Sequence, residues 1–187
     1  MAGSRVGLIG DAAIELIARE GLRGLTHRAV DRAAGLPPGS TSYYARTRLA
    51  LLELAIARML EHDDVDTAAL GDGRPEDLAD AVAGFLHESI TAGRARTLAR
   101  YELALEAARR PELRAAYDRA GGRLRERAAA LLRAAGSVEP DRHARLLVAW
   151  CEGVLFEAIA GAGTATPPGR AELVTGTRDL LRTLLPT

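Results

Sequence analysis

The residues best able to do recognition chemistry in this 187-residue chain lie in one short stretch, positions 26–44. It reads Thr-His-Arg-Ala-Val-Asp-Arg-Ala-Ala-Gly-Leu-Pro-Pro-Gly-Ser-Thr-Ser-Tyr-Tyr. Ser40, Thr41 and Ser42 are short hydroxyl donors and acceptors, able to touch phosphates or base edges. Tyr43 and Tyr44 add phenolic donors with the reach of a nucleic-acid backbone. Arg28 and Arg48 stand at the starts of two predicted helices, where they would flank a groove as phosphate contacts. Thr26 fits a helix N-cap, and the first backbone N–H groups of a helix already favour an anion. His27 and Gly39 complete this candidate DNA-binding set.

Two short helices must position these groups. The first is predicted over 27–34, with a small apolar face of Val30, Ala33 and Ala34, and Gly35 closes it. Proline is acceptable only in the first turn of a helix, so the second should start near Pro38 and run to about Tyr44. That second helix is nearly all small polar residues and tyrosines. Without an apolar stripe it is a poor structural element, but it suits a helix that enters a groove and donates hydrogen bonds. This is the logic of a helix-turn-helix. The plainer alternative is a loop-rich hairpin with both tyrosines in the core.

Charge points the same way. The chain has 25 basic and 25 acidic residues, and all the basic ones are Arg. Residues 1–50 hold seven Arg against four acids, and residues 23–48 hold five Arg against Asp31 alone. A compact basic segment on a neutral chain implies a local anionic partner, unless it is simply a solvated face.

The rest of the sequence reads as helix throughout, an all-α chain of about nine helices. The predicted spans are 6–20, 27–34, 38–44, 47–61, 75–91, 94–110, 111–135, 140–160 and 170–185. Ile9, Ala13, Leu16 and Ile17 make the stripe of the first helix. Leu51, Leu52, Ala55, Ile56, Met59 and Leu60 make that of the fourth. Gly121-Gly122 marks a possible kink in the seventh. A polar loop at 63–74 is the best break in the chain. The functional division expected is a DNA-binding part, 1–46, and an effector-binding and dimerisation part, 47–187.

Composition excludes much else. Without Lys there is no Schiff base and no P-loop. One cysteine, Cys151, forms no intrachain disulfide, and no Cys/His cluster has metal spacing. No dinucleotide fingerprint, paired metal histidines or serine-nucleophile motif is present, so neither an enzyme nor a cofactor is expected. Nothing reads as a signal peptide or a membrane span, and a reducing cytoplasm is the expected setting.

Over residues 9–52 the chain resembles the TetR family of bacterial transcriptional regulators. The resemblance rests on Ala18-Arg19-Glu20-Gly21, Thr26, Ala33-Ala34-Gly35-Leu36, Gly39-Ser40-Thr41, Tyr44, Arg48 and Leu51-Leu52. The family usually has an aromatic where Ala45 stands, Lys at Arg48, a capping Ser or Thr at Pro37, and its tyrosine at Ser42. The resemblance implies an N-terminal helix-turn-helix domain and a helical C-terminal half that dimerises and binds a small molecule. It further implies a one-component repressor, bound as a dimer to operator DNA and released by an effector through the fourth helix. The alternative is a dimeric helical ligand-binding module that does not bind DNA. If Arg48 holds a phosphate, replacing it should flatten the salt dependence of DNA binding by about one unit of slope.

The second half adds two expectations. The eighth helix is apolar nearly all round, so it needs a partner beyond its own core. A twofold contact is predicted through Leu146, Ala149, Gly153 and Val154, with Leu173, Thr177, Leu180, Leu181 and Leu184 of the ninth helix. Two recognition helices roughly 34 Å apart would then demand a near-palindromic site. Phe85, Tyr101, Trp150 and Phe156 are candidates to line a cavity for an apolar or amphipathic effector. His87, Glu102 and Glu106 would be its polar groups. The bland reading of these residues is core packing, with the two glutamates paired to neighbouring arginines.

Overall fold

In the computed structural model the described residues are 4–62 and 74–185. They form nine α-helices and no strand. These are α1 (Arg5–Gly24), α2 (His27–Ala33), α3 (Ser40–Tyr44), α4 (Arg48–His62) and α5 (Pro75–Ile90). They continue as α6 (Arg94–Ala107), α7 (Pro111–Ala134), α8 (Pro140–Ile159) and α9 (Arg170–Leu184). The polar loop expected at 63–74 lies outside the described residues except for Arg74.

Sequence expectation and structure differ at two helix ends and in one helix interior. Regular helix in α1 stops at Gly21, whose φ is +68°, and a further turn carries it to Gly24. α3 begins at Ser40 and not at Pro38, because Gly39 takes φ +91° as its N-cap, a left-handed conformation that penalises any side chain. α7 runs on as one helix through Gly121-Gly122.

Packing groups the described helices into two compact units. The first contains α1–α4 with α6 and the N-terminal part of α7, up to residue 120. The second contains α5, the rest of α7, α8 and α9. The division expected at residues 46 and 47 is one of function; packing keeps α4 with α1 and α2.

In the first unit the apolar stripe of α1 closes on that of α4. Ile9, Ala13, Leu16 and Ile17 are buried with Leu51, Leu52, Ala55 and Ile56. Val30 of α2, Leu103 of α6 and Leu113 of α7 join the same core. An ion pair fastens its rim: Arg58 Nε and Nη2 donate to the two Asp11 oxygens at 2.7 and 2.9 Å. His62 Nε2 lies 2.9 Å from the same carboxylate. Gly10 makes this approach possible, since a Cβ there would sit 2.7 Å from the Arg58 stem. Hydrogen bonding from Arg58 holds the Asp11 carboxyl below its ordinary pKa and raises that of the guanidinium.

In the second unit Leu78 and Ala79 of α5 pack with Ala129 and Leu132 of α7, Ala144 and Leu147 of α8, and Leu181 and Leu184 of α9. The ion pair between Arg178 and Asp80, 3.4 Å, ties α9 to α5 at the surface.

Candidate nucleic-acid interface

A five-residue helix cannot stand alone in water, because nucleating a turn costs more than its few hydrogen bonds return. α3 has little apolar surface to offset this: Thr41 is its one buried side chain, with Ala45 buried just beyond its end. What holds it is α2. Thr26 caps α2, its Oγ1 accepting the Ala29 N–H at 3.1 Å. His27 and Asp31 then project one turn apart from the same side of α2. His27 Nε2 lies 2.6 Å from the Ala45 carbonyl oxygen, at the C-terminal end of α3. Asp31 takes the other end. Its carboxylate accepts the Gly39 N–H at 2.7 Å, the Thr41 N–H at 2.7 Å and the Thr41 hydroxyl at 2.6 Å.

Asp31 therefore does for α3 what an N-cap side chain does within a helix. It supplies the cap that Pro37 and Gly39 cannot. The carboxylate is only 3% exposed. Burial pushes its pKa up, but hydrogen bonds from Thr41 and Gly39 outweigh this and hold it below the ordinary value.

The clamp sorts the predicted DNA-binding residues into two groups. Thr26, His27, Gly39 and Thr41 are structural. Thr41 is 0% exposed with its hydroxyl engaged by Asp31, so it presents nothing to a groove. Arg48 belongs with them: Nη1 donates to the Leu25 carbonyl at 2.5 Å and Nη2 to that of Leu22. Its cation caps the end of α1, as helix C-termini favour. Arg28, Ser42, Tyr43 and Tyr44 stay on the surface, and Ser40 is half-buried with its hydroxyl donating to Pro37 O at 2.7 Å. Tyr43 is 79% exposed, which removes the reading of both tyrosines as core. The two rings meet edge to face at 5.0 Å.

Two residues of this surface escape the sequence reading. Asp31 counts there only as an acid in a basic segment, although its place one turn after His27 is the signal. Arg46 is exposed directly after Ala45, on the segment that His27 anchors. With Asp31 buried, residues 23–48 expose no acidic side chain.

The predicted effector residues fall in both units. In the first, Tyr101 and Glu102 are half-buried, with the Arg100 guanidinium 5.7 Å from the Tyr101 ring centre. Glu106 pairs with Arg110 and, at 3.7 Å, with Arg109. In the second, Phe85 and His87 of α5 are half-buried, and His87 Nδ1 is buried without a hydrogen-bond partner. Trp150 lies against α9, where a Cβ on Gly176 would come within 3.2 Å of its ring. Phe156 is 50% exposed.

The predicted interface residues also separate. On α8, Leu146 (44% exposed), Ala149 and Gly153 form one outward stripe that Phe156 extends, and Val154 is half-buried beside it. On α9, Leu173, Thr177, Leu181 and Leu184 are buried within the chain itself, and Leu180 is half-buried. Thr177 satisfies its hydroxyl on the Leu173 carbonyl at 2.7 Å.

Residues 73–187 match the family described as tetracyclin repressor-like, C-terminal domain. A TetR-family protein from Streptomyces coelicolor A3 is 31% identical with a TM-score of 0.74, over 99% of this chain and 100% of that one. The multidrug-binding protein EbrR, solved with ethidium, is 32% identical with a TM-score of 0.72, over 98% of this chain and 100% of that one. A transcriptional regulator from Rhodococcus sp. Rha1 shares the fold with a TM-score of 0.80 at 21% identity, over 97% and 96% of the two chains. No curated protein matches. The helical architecture, the clamped helix-turn-helix and these likenesses together assign the chain to the TetR family of transcriptional regulators.

Proposed function

We propose that this protein is a cytoplasmic one-component repressor that binds operator DNA as a homodimer and leaves it when a small molecule occupies its C-terminal half. The observation that carries the DNA reading is the α2–α3 surface. A polar helix of hydroxyl side chains is gripped at both ends, flanked by Arg28 and Arg46, and free of exposed acid. Such a surface meets phosphates without repulsion and presents donors to base edges. The dimer reading rests on the exposed apolar stripe of α8, Leu146–Ala149–Gly153–Phe156. Its small residues allow two copies of the helix to approach closely, and a self-complementary patch closes as a twofold contact. Two such surfaces, roughly 34 Å apart, fit successive major grooves of a near-palindrome.

For the effector we favour an aromatic cation. EbrR, similar over nearly the whole chain, has been solved with ethidium, proflavin and malachite green. Trp150 and Phe85, both in the second unit, supply faces for such a ligand.

A salt titration of binding to duplex DNA tests the DNA reading. Log affinity should fall linearly with log salt, at a slope of about −0.9 per phosphate neutralised. A flat response, or no binding at about 50 mM salt, would leave a helical ligand-binding module.

A further inference from the structure

What the protein can read follows from the side chains it lacks. In the major groove, adenine is recognised at two points by Asn or Gln, guanine by Arg or Lys, and the cytosine amino group by Asp or Glu. This chain contains no Asn, no Gln and no Lys. Its one acid between positions 23 and 48, Asp31, is buried with both oxygens turned on Gly39 and Thr41. Two-point readout of adenine and carboxylate readout of cytosine are therefore closed to the α2–α3 surface. The hydroxyls of Ser42, Tyr43 and Tyr44 each donate or accept at a single point, which does not separate the base pairs by itself.

The arginines are not equivalent. Arg48 spends its guanidinium on the carbonyls of Leu22 and Leu25. Arg32 turns to a groove between α1 and α2, shared with Glu15, Arg19 and Glu20. Arg23 lies in the last turn of α1, outside α2 and α3. Arg28 and Arg46 remain. They are the chain neighbours of His27 and Ala45, the two residues joined at 2.6 Å, so both stand by the C-terminal end of α3 and both are exposed.

Resting on the reading that this surface enters the major groove, we propose that the protein is a guanine reader. Arg28 and Arg46 make the two-point base contacts available to it, each to O6 and N7 of a guanine. The operator half-sites are therefore fixed at G·C pairs, and A·T positions are sensed through thymine methyls, single hydroxyl contacts or duplex shape.

The test replaces atoms in the DNA and leaves the protein intact. Duplexes with a random core of about 30 base pairs are selected on the full-length protein at about 50 mM salt, where phosphate contacts are strong. The winners are rebuilt with 7-deazaguanine or with 7-deazaadenine, each of which puts C–H in place of the N7 acceptor. The expected result is a loss of about fivefold or more in affinity with 7-deazaguanine and less than about twofold with 7-deazaadenine, since one arm of each arginine contact goes. R28A and R46A should each erase the guanine preference at one position of the half-site. An equal or larger loss with 7-deazaadenine, or no loss with either, overturns the proposal while leaving DNA binding standing. If the unmodified pool yields no bound duplex, the regulator reading falls too.

Discussion

The Thr41 hydroxyl donates to the Asp31 carboxylate across 2.6 Å, and both side chains are buried. A charged group of α2 thus holds the start of α3, and the shape of the exposed α2–α3 surface hangs on a buried pair. Charge-assisted bonds of this kind are short and roughly twice as strong as neutral ones.

Asp31→Asn should lower stability by about 1–3 kcal/mol, because the amide meets the Gly39 N–H or the Thr41 N–H with a donor where an acceptor is needed. Thermal and urea unfolding measure this. The sign of the DNA effect separates two roles. Removing a negative charge near phosphates should by itself tighten binding. Loss of the clamp should weaken binding to the selected site while leaving random DNA unaffected or bound more tightly. Tighter binding to both would show that Asp31 acts only as a charge.

Acid should loosen this clamp. Asp31 and Asp11 both have carboxyl pKa values below the ordinary range in the folded chain. Their stabilising contribution is complete above about pH 4, the unfolded value, and is lost as pH falls through the folded values. The fall of Tm below about pH 4 should therefore be shallower in Asp31→Asn than in the parent. Parallel curves would mean that the carboxylate contributes nothing through its ionisation.

Arg28 and Arg48 should differ under salt. Arg28→Ala is expected to reduce the slope of log affinity against log salt, because a cation seated in the groove displaces counterions while its head group meets a base. Arg48→Ala should leave the slope nearly unchanged and lower Tm, since its guanidinium caps α1. The opposite pattern would return Arg48 to the phosphate contacts.

The outer stripe of α8 and the inner face of α9 should also part company. Leu146→Glu, or Phe156→Glu, should shift the dimer to monomer by light scattering at little cost to the folded chain. Leu181→Ala should destabilise the chain by about 2–5 kcal/mol and leave the association state of the folded fraction intact. A monomeric parent protein would contradict the twofold contact.

The chain carries a single tryptophan, so intrinsic fluorescence excited selectively reports on Trp150 alone. Malachite green or ethidium should quench it saturably, and Trp150→Phe should abolish the signal while the dye still releases the protein from DNA. Linear, unsaturable quenching would speak against an aromatic-cation effector.

The helices were legible because Ala, Leu, Arg and Glu at 3.6-residue spacing leave little else to form. Thr26 as a cap and the Ile9–Ile17 stripe needed only local chemistry to see. Less legible was anything that depends on which way a side chain faces. Thr41 and Ser42 are adjacent and chemically alike, yet one is buried under Asp31 and the other is exposed. Only the geometry of α2 against α3 decides between them. On α9, Leu173, Leu181 and Leu184 show the spacing an interface needs, but the same spacing serves an internal core, and that is where they lie. Arg48 looked free because the carbonyls it binds are more than twenty residues away in the chain.

The α2–α3 surface is expected to bind DNA in a sequence-specific way. The most direct test is a binding selection from sheared genomic DNA of the source organism, using the full-length protein at about 50 mM salt, where weak phosphate contacts are still held. A short near-palindrome with guanines at matching places in its two halves is the predicted result. A folded dimer that enriches no fragment would contradict it.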